Sequence, residues 1–414
     1  MKWFFAIIFV FSSAIFAGDK IQLELSSGSV IDIDTYSADG ETMFLYLPSE
    51  RGLGAGYVSA AQQLAFFGTD VWALDLHESY MVPKYRSSIE RFDVKDVLEL
   101  VEAIQSMGFK DLVFVTSSRG AQLALKVAYQ WQIKHTDSDF IKGHIFHSPQ
   151  LVSGKSNLGN KAEYVDISKV SNLPVYMVLP EFSTKYFHAD EIAEQLSSGG
   201  SFVTMNKLKG VSGGFHMRKA QDLTLLDLKY RDDLTEIYSN AFQMMKDVDV
   251  TKPKTLATDV NKRTSPLFGD PVLSKYSGKQ NIGLKLQTLK GDILDINDLI
   301  NHVVLINFWA SWCSPCVKEI PSLVRLQNKL KDQPFKIITI NIGESKSRIN
   351  EFMQKVKFDL PIMLDSSGDA VKDWGVYAYP SNFLLDKNGV IRYSYRGALE
   401  WDADSVVNTI KSLL

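Results

Sequence analysis

Short apolar runs alternate with helical patterns along the first half of the chain. A two-run pattern over residues 21–36 predicts a β-hairpin. Beyond it, apolar runs of strand length alternate with segments whose apolar residues recur at helical spacing. The predicted strands are residues 43–47, 71–76, 112–116, 144–147, 175–179 and 202–208, and the predicted helices are residues 58–67, 89–107, 121–131 and 192–196. This alternation predicts an α/β fold, a doubly wound and mostly parallel sheet with helices on both faces.

A second patterned region follows near the end of the chain. Residues 302–308, HVVLINF, are largely β-branched and apolar, which is typical of a strand buried on both faces. Residues 317–330 carry apolar side chains at helical spacing. The segment FWASWCSPCVKEIP, residues 308–321, joins the two and contains both cysteines of the chain. The sequence therefore predicts a dithiol at a strand-to-helix junction.

A segment of about 30 residues without clear periodicity separates the two regions. Residues 251–280 hold three prolines, and a stretch of this length is unusual inside one compact domain. A helical pattern over residues 223–245 is expected to close the first domain. We therefore predict a first domain at residues 19–248, a linker at 249–279 and a second domain at 280–414.

The first residues have the pattern of a secretory signal peptide. Lys2 precedes an apolar run from Trp3 to Phe16, and the small residues Ala17 and Gly18 follow. A retained membrane anchor is the alternative, although the run is shorter than the roughly 20 apolar residues of a spanning helix. We therefore predict a signal peptide at residues 1–18 and an exported, periplasmic protein, with N-terminal membrane anchoring left open.

Composition and charge exclude several classes of protein. The chain has 414 residues, of which 45% are hydrophobic and 11% aromatic, enough to fill the cores of two domains. Its formal net charge is -3, and no block of Lys and Arg occurs along it. Because a nucleic-acid backbone requires a basic surface, we expect no nucleic-acid partner.

The two cysteines are too few to hold an exported protein of this length together. A zinc site would require further ligands, and the nearest histidine, His302, lies eleven residues before Cys313 in an apolar strand pattern. We expect no metal. A helix start would instead stabilise the thiolate of Cys313 and lower its pKa. Pro315 suits the first helical turn, and Cys316 is spaced to attack a mixed disulfide formed on Cys313.

Several motifs in the last 135 or so residues occur in the order found in one protein family. They are NFWASWCSPC, KEIP, INIGES at residues 340–345 and YPSNFLLDKNG at residues 379–389. In these motifs the chain resembles the TlpA/ResA-like thioredoxins, exported or membrane-tethered thiol-disulfide oxidoreductases of bacteria. The resemblance implies a thioredoxin fold and a redox-active disulfide, Cys313–Cys316, in place of a cofactor.

The same resemblance implies roles for further residues. Glu319 would be a buried acid that tunes the dithiol, and Pro380 would follow a cis peptide bond beside the cysteines. Trp312 and Tyr379 would contact the substrate. The partners implied are disulfides of periplasmic proteins, including apocytochrome c, and a membrane thiol transporter that donates electrons. From the residues alone, Glu319 could equally be a solvated helix residue, Pro380 an ordinary loop proline and Trp312 a packing residue.

The stretch VFVTSSRGAQLAL, residues 113–125, has the pattern of a strand, a sharp turn and a helix. It resembles the nucleophile turn of the α/β-hydrolase family, and the order of predicted elements agrees. On that resemblance Ser118 is the nucleophile, His216 the base and Glu181 the acid. Main-chain N–H groups near residues 49–52 and of Arg119 would form the oxyanion hole.

Two features depart from the hydrolase pattern. Thr116 stands where the motif has its first glycine, and a β-branched residue crowds a sharp turn. The acid expected after the strand at residues 175–179 is absent; Glu181 comes early and Asp190 comes late. Three functions therefore remain open for the whole chain: a thiol-disulfide oxidoreductase, a serine hydrolase with an accessory thioredoxin domain, and a hydrolase-like binding domain fused to the redox domain.

Overall fold

The computed structural model of the protein describes residues 18–153, 158–257 and 273–414. The chain divides into two compact units, the first formed by Met1–Leu151 with Tyr164–Ser265 and the second by Val152–Glu163 with Pro266–Leu414. The division between residues 265 and 266 falls inside the predicted linker, but residues 152–163, predicted for the first domain, belong to the second unit. Residues 1–17 of the predicted signal peptide lie outside the described residues.

The first unit contains a sheet of eight strands. The strands are β1 (Asp19–Glu24), β2 (Val30–Tyr36), β3 (Thr42–Tyr46), β4 (Asp70–Leu74), β5 (Asp111–Ser117), β6 (Ile141–His147), β7 (Val175–Phe182) and β8 (Val203–Ser212). Their order in the sheet is β1-β2-β4-β3-β5-β6-β7-β8. β1 and β2 form the predicted antiparallel hairpin, β2 pairs antiparallel with β4, and the pairings from β4 to β8 are parallel.

Helices lie between most of these strands, as the alternating pattern predicts. They are α1 (Tyr57–Phe66), α2 (Leu76–Ser79), α3 (Val94–Ser106), α4 (Gly120–Lys134), α5 (Ala189–Gly199), α6 (Leu225–Asp232) and α7 (Leu234–Lys246). The pattern over residues 89–107 predicts too early a start for α3, because Asp93 caps this helix by accepting a hydrogen bond from the N–H of Lys95. The predicted closing helix is two helices, α6 and α7, joined at Asp233.

The core of the first unit lies between this sheet and its helices. Phe44, Val113, Ile145 and Val178 come from successive parallel strands and are all buried in one cluster with apolar residues of α1 and α7. Burying such side chains stabilises a fold by roughly 1.5–3 kcal/mol each. The first unit is thus a mixed α/β structure with a large, central sheet.

The second unit contains a sheet of six strands in the order β14-β13-β12-β15-β16-β9 and a separate pair, β10 and β11. The strands are β9 (Ser274–Lys275), β10 (Lys285–Gln287), β11 (Ile293–Asp295), β12 (Val303–Trp309), β13 (Phe335–Ile342), β14 (Ile362–Asp365), β15 (Ser381–Leu385) and β16 (Ile391–Arg396). The helices are α8 (Ser314–Lys329), α9 (Lys346–Lys355), α10 (Asp369–Asp373) and α11 (Asp404–Lys411).

The pairings of β12 bring two distant loops to one edge of the sheet. Every residue of β12 is buried, and the strand pairs parallel with β13 and antiparallel with β15. In this register Phe308, near the end of β12, lies opposite Ser381, the first residue of β15. The cysteine segment that follows β12 and Pro380, which precedes β15, therefore lie at the same edge.

The predicted linker extends too far toward the second domain. Ser274 and Lys275 form β9, which pairs antiparallel with β16, and the ring of Tyr276 packs edge-on against Phe383 at 5.9 Å between centroids. Both residues of β9 are polar and exposed, so the sequence shows no alternation of apolar and polar positions from which this strand could be predicted. Among the described residues, no helix combines the length and the apolar character needed to cross a membrane.

Candidate active site

Cys313 lies at the start of α8, directly after the loop that follows β12. It is the N-cap residue of the helix, Pro315 occupies the first turn, and the N–H of Cys316 donates to the Cys313 sulfur at 3.3 Å. Cys313 and Cys316 are joined by a disulfide. The unpaired N–H groups of a helix start favour negative charge, so this position suits a sulfur that becomes a thiolate when the disulfide opens.

The two sulfurs differ in their access to solvent. Cys313 is 7% exposed, whereas Cys316 is completely buried one helical turn further along. A partner approaching the surface therefore reaches the Cys313 sulfur first. Cys316 is placed to close the disulfide from within.

Glu319 follows Cys316 on the inner face of α8 and is only 2% exposed. Its carboxyl group accepts hydrogen bonds from Asn307 Nδ2 at 2.7 Å, Trp401 Nε1 at 3.2 Å and the Leu399 N–H at 3.3 Å. Burial raises the pKa of Glu319 to about 8, and these three donors act in the opposite direction. Glu319 is therefore not a solvated helix residue, and it can exchange a proton near neutral pH.

Residues from β12 and β15 extend the hydrogen bonds around Glu319. Asn307 Nδ2 also donates to Asn382 Oδ1 at 2.7 Å, and both asparagines are buried. Neither these residues nor Trp401 were predicted as site residues. Asn307 is the one polar residue of the strand β12, VVLINFW, and this signal could have identified it.

Pro380 lies at the same edge of the sheet as the disulfide segment. The Tyr379–Pro380 peptide bond is cis. The ring of Tyr379 packs edge-on against Trp312, with 5.8 Å between the centroids. Trp312 is partly exposed and Tyr379 is buried. The structure thus brings the predicted substrate residues Trp312 and Tyr379 together beside the segment that carries Cys313.

A second buried acid holds the loop that precedes Cys313. Glu344 follows β13 and accepts hydrogen bonds from the Ser311 N–H at 2.7 Å and from Asn341 Nδ2 at 2.8 Å. Arg348 Nε donates to the same carboxylate at 2.9 Å. The motif INIGES includes Glu344, but no role was predicted for it, because the pairing with Ser311 joins residues 33 positions apart.

Ser118 lies in a sharp turn between β5 and α4 of the first unit. Its φ is +50°, a backbone conformation that few residues other than glycine adopt. Thr116 fits this turn because its hydroxyl donates to the Leu47 carbonyl at 2.9 Å. Gly120 has no side chain, and a Cβ atom at this position would lie only 2.0 Å from the Thr116 hydroxyl oxygen. The turn can therefore accommodate Thr116 because residue 120 is glycine.

The other residues of the predicted triad are not joined to Ser118 by the hydrogen bonds described. The Ser118 hydroxyl donates to Glu50 at 2.9 Å, and Glu181 accepts from the N–H of Gly210 at 2.6 Å. His216 stacks on His147 at 3.7 Å between ring centroids, and its Nδ1 is buried without a hydrogen-bond partner. Burial lowers the pKa of His216 to about 3, which makes it a weak base.

Asp190, the later candidate for the acid, does not replace Glu181. It lies in the first turn of α5, and its carboxylate is 3.4 Å from the ammonium of Lys207 in an exposed ion pair. The predicted oxyanion donors are also engaged. The N–H groups of Ser49 and Gly52 bond each other's carbonyls, and the Arg119 N–H donates to Glu50. The assembled arrangement is therefore the dithiol site of the second unit.

Comparisons with known proteins agree with this site. The model of the Redoxin family matches residues 271–411. Thiol-disulfide oxidoreductase ResA of Bacillus thuringiensis subsp. konkukian is 30% identical over 120 residues, which are 29% of this chain and 69% of that protein. Thioredoxin-like protein YneN of Bacillus subtilis is 31% identical over 125 residues, 30% of this chain and 72% of that protein.

A solved structure is similar to about a third of the chain. The thioredoxin domain of a thiol-disulfide oxidoreductase from Bacteroides vulgatus is 24% identical, with a TM-score of 0.30, and the match covers 34% of this chain and 98% of that one. The identity to ResA and the share of ResA that is covered show the family. Through its second unit, the chain belongs to the family of ResA-like thiol-disulfide oxidoreductases.

Proposed function

We propose that the protein is an exported reductase of disulfides in periplasmic proteins and that Cys313 and Cys316 carry the reaction. The observation that carries this proposal is the pair of sulfurs at the start of α8, of which Cys313 is slightly exposed and Cys316 is completely buried. The Cys313 thiolate attacks one sulfur of the substrate disulfide, and the other substrate sulfur leaves as a thiolate. Cys316 then attacks Cys313, which releases the second substrate sulfur and closes the disulfide. Two electrons pass to the substrate.

Glu319 exchanges a proton with Cys316 in this cycle. Cys316 and Glu319 are three positions apart on α8 and are both buried, so they share one face of the helix. Cys316 must lose its proton to attack Cys313, and a carboxyl group whose pKa is about 8 can exchange protons with a thiol near neutral pH. Asn307, Trp401 and the Leu399 N–H hold the carboxyl group in place during this exchange.

Trp312, which packs on the buried Tyr379 next to Pro380, presents the partly exposed surface that receives the substrate. Pro380 directly precedes β15, at the edge of the sheet where the disulfide segment lies. A substrate segment in extended conformation can bind main-chain groups of the loop that precedes β15. The ring of Trp312, partly exposed, would cover the substrate beside Cys313.

The predicted signal peptide supports a periplasmic location, with N-terminal anchoring as a further property to test. The resemblance to TlpA/ResA-like thioredoxins supports a membrane thiol transporter as the electron donor and apocytochrome c among the substrates. The cycle requires no cofactor besides the Cys313–Cys316 disulfide and no metal. A cell fractionation with an antibody against the second unit tests the location.

Trapping tests the reaction itself. Cys316→Ser retains the attacking sulfur and lacks the second one, so it should accumulate mixed disulfides with substrate proteins on Cys313 in the periplasm. Cys313→Ser is the matched control and should trap none. If Cys316→Ser traps no partner while the reduced wild-type protein reduces a model disulfide, the proposed periplasmic role is wrong.

For the first unit we propose an α/β-hydrolase-like fold without a working triad. The strand order, with an antiparallel pair followed by parallel strands, and the turn at Ser118 support this fold. The partners of Glu181 and His216 favour a binding role over hydrolysis. A fluorophosphonate probe distinguishes the two roles: a mass adduct on Ser118 would support the serine hydrolase, whereas no adduct under conditions that label a known serine hydrolase supports the binding domain.

A further inference from the structure

Glu50 extends from the loop between β3 and α1 into the turn that carries Ser118. Its side chain is 9% exposed. One carboxylate oxygen accepts the Ser118 hydroxyl at 2.9 Å, and the other accepts the N–H of Arg119 at 3.1 Å. Both oxygens of this carboxylate are therefore bound by adjacent residues of a single turn.

The Ser118 hydroxyl and the Arg119 N–H lie where a nucleophile turn would bind an oxygen of its ligand. In a strand-turn-helix nucleophile motif, the N–H of the residue after the serine points to where the oxygen of a bound acyl group develops negative charge. Here that residue is Arg119, the N-cap of the 15-residue helix α4. The positive end of α4 adds a favourable field for an anion. Glu50 thus occupies, with its own carboxylate, the position in which a ligand oxygen would bind.

The loop holds Glu50 in this position by its own hydrogen bonds. Ser49 and Gly52 form an antiparallel bridge, and the Ser49 hydroxyl donates to the Gly52 carbonyl at 2.9 Å and accepts the Arg51 N–H at 3.1 Å. The ring of His77 is 2.9 Å from the Ser49 carbonyl through Nε2. A loop fixed in this way presents the carboxylate at little further cost in conformational entropy.

Positive charge surrounds the carboxylate. Glu50 interacts electrostatically with the guanidinium groups of Arg119 and Arg86, and these two groups also repel each other. Arg86 interacts with Arg51 as well, whereas Glu90 is a further acid beside Arg119. Removing the carboxylate of Glu50 would leave the Ser118 hydroxyl and the Arg119 N–H without the acceptor that they now bind, in the field of the two guanidinium groups.

We propose that the Ser118 hydroxyl and the Arg119 N–H form a binding site for a carboxylate group and that Glu50 is its built-in occupant. In this closed state the Ser118 hydroxyl and the Arg119 N–H are both bound by Glu50. A small carboxylate ligand binds the same two donors once the Glu50 carboxylate is removed. This inference concerns the first unit alone, and its test is independent of the proposed dithiol reaction.

Acetate is the probe, and the variant is Glu50→Ala in the full-length, disulfide-containing protein. Hydrogen–deuterium exchange of peptides that cover the turn between β5 and α4 measures the site locally. Glu50→Ala should exchange faster there than the wild-type protein, and sodium acetate should restore protection in a concentration-dependent manner. Sodium chloride at the same ionic strength should not, because a single spherical ion lacks the two separate carboxylate oxygens that these donors contact. Acetate should leave exchange of the wild-type protein unchanged.

Adjacent serines provide a matched control. The Ser117 hydroxyl contacts the sulfur of Met217 at 3.1 Å and does not contact Glu50. The double variant Glu50→Ala/Ser118→Ala should lose most of the acetate response, whereas Glu50→Ala/Ser117→Ala should retain it. Equal effects of acetate and chloride on Glu50→Ala, or an acetate response that survives the loss of the Ser118 hydroxyl, would overturn the proposal.

A second measurement applies where Glu50→Ala does not fold. Glu50→Gln keeps the size of the side chain, and it can be combined with Ser118→Ala in a double-mutant cycle read by the same peptides. If Glu50 and Ser118 act as one bound pair, the increase in exchange caused by the double variant will be smaller than the sum of the two single increases. Additive increases would refute the pairing on which the site depends.

Discussion

Replacing Glu319 by Gln removes an ionisable group from the interior of the second unit and keeps the size of the side chain. Burial raises the pKa of Glu319 from 4.5 to about 8, although Trp401, Asn307 and the Leu399 N–H donate hydrogen bonds that favour the charged form. The folded chain thus binds this proton more tightly than the unfolded chain does. A test of this difference is also a test of the environment of the dithiol.

The sign of the pH dependence follows from the two pKa values. Below pH 4.5 both states are protonated, and the stabilising contribution of the protonated Glu319 is fully present. As the pH rises from 4.5 to about 8, the unfolded chain loses the proton while the folded chain keeps it, so the free energy of unfolding falls. At about 1.36 kcal/mol per pKa unit, the loss across this window is about 5 kcal/mol.

The assay compares the wild-type protein with Glu319→Gln, both with the disulfide intact so that no thiol titrates. Hydrogen exchange of peptides from β12 and α8 gives the local free energy of opening at each pH. The wild-type value should fall relative to that of the variant as the pH rises from about 5 to about 8. Infrared spectra should show a protonated carboxyl band that disappears near pH 8 and is absent from the variant.

The control variant is Glu351→Gln, which changes an exposed glutamate on α9. It should retain the wild-type pH dependence. In the reduced protein, Glu319→Gln should also alter the pH profile of Cys313 alkylation, because the carboxyl group and the thiols exchange protons. Parallel decreases in stability for the wild-type protein and Glu319→Gln over this pH range would refute a protonated, buried Glu319.

Three further predictions concern the two turns at helix starts. In the reduced protein, Cys313 should react with iodoacetamide faster than Cys316, as measured by mass spectrometry of quenched samples, because only Cys313 reaches the surface; faster labelling of Cys316 would reverse their roles. Glu344→Gln should destabilise the second unit by about 1–3 kcal/mol in denaturant unfolding, because the Ser311 N–H and Asn341 Nδ2 lose a charged acceptor. An unchanged denaturant concentration at the unfolding midpoint would count against the role of Glu344 in holding the loop. Gly120→Ala should destabilise the first unit by about 1–3 kcal/mol, because the new methyl group would collide with Thr116, and a wild-type unfolding curve would contradict this contact.

Much of the fold is predictable because it depends on local periodicity. The parallel strands of the first unit are short apolar runs, and the hairpin of β1 and β2 has a turn signal between two alternating segments. The position of the dithiol can also be predicted from neighbouring residues, because the pattern of a buried strand precedes it and a helical pattern follows it. By contrast β9, with only two polar residues, depends on its neighbour β16 and leaves no periodic signal.

The polar surroundings of the site depend on tertiary pairings and could not be predicted in this way. Asn307 and Asn382 are 75 positions apart, and Glu319 and Trp401 are 82 apart. Their hydrogen bonds form because the pairing of β12 with β15 and the end of the chain place these side chains around one carboxyl group. The polar residue inside an apolar strand was the one sequence signal of this arrangement, and it gave no indication of the partner.

The two helix starts show why the turn at Ser118 was easier to predict than its function. α4 and α8 each follow a buried strand of a parallel pair and begin with N–H groups that have no hydrogen-bond partner within the helix. At α8 the N–H of Cys316 points to the Cys313 sulfur, so the donor supports a charge that forms during the reaction. At α4 the N–H of Arg119 is already bound by Glu50, which is 69 positions away. The same local motif can therefore stabilise a charge that forms during a reaction, as at Cys313, or a carboxylate that is permanently in place, as at Glu50. The difference depends on whether a side chain from a distant part of the sequence accepts the hydrogen bond of the N–H group.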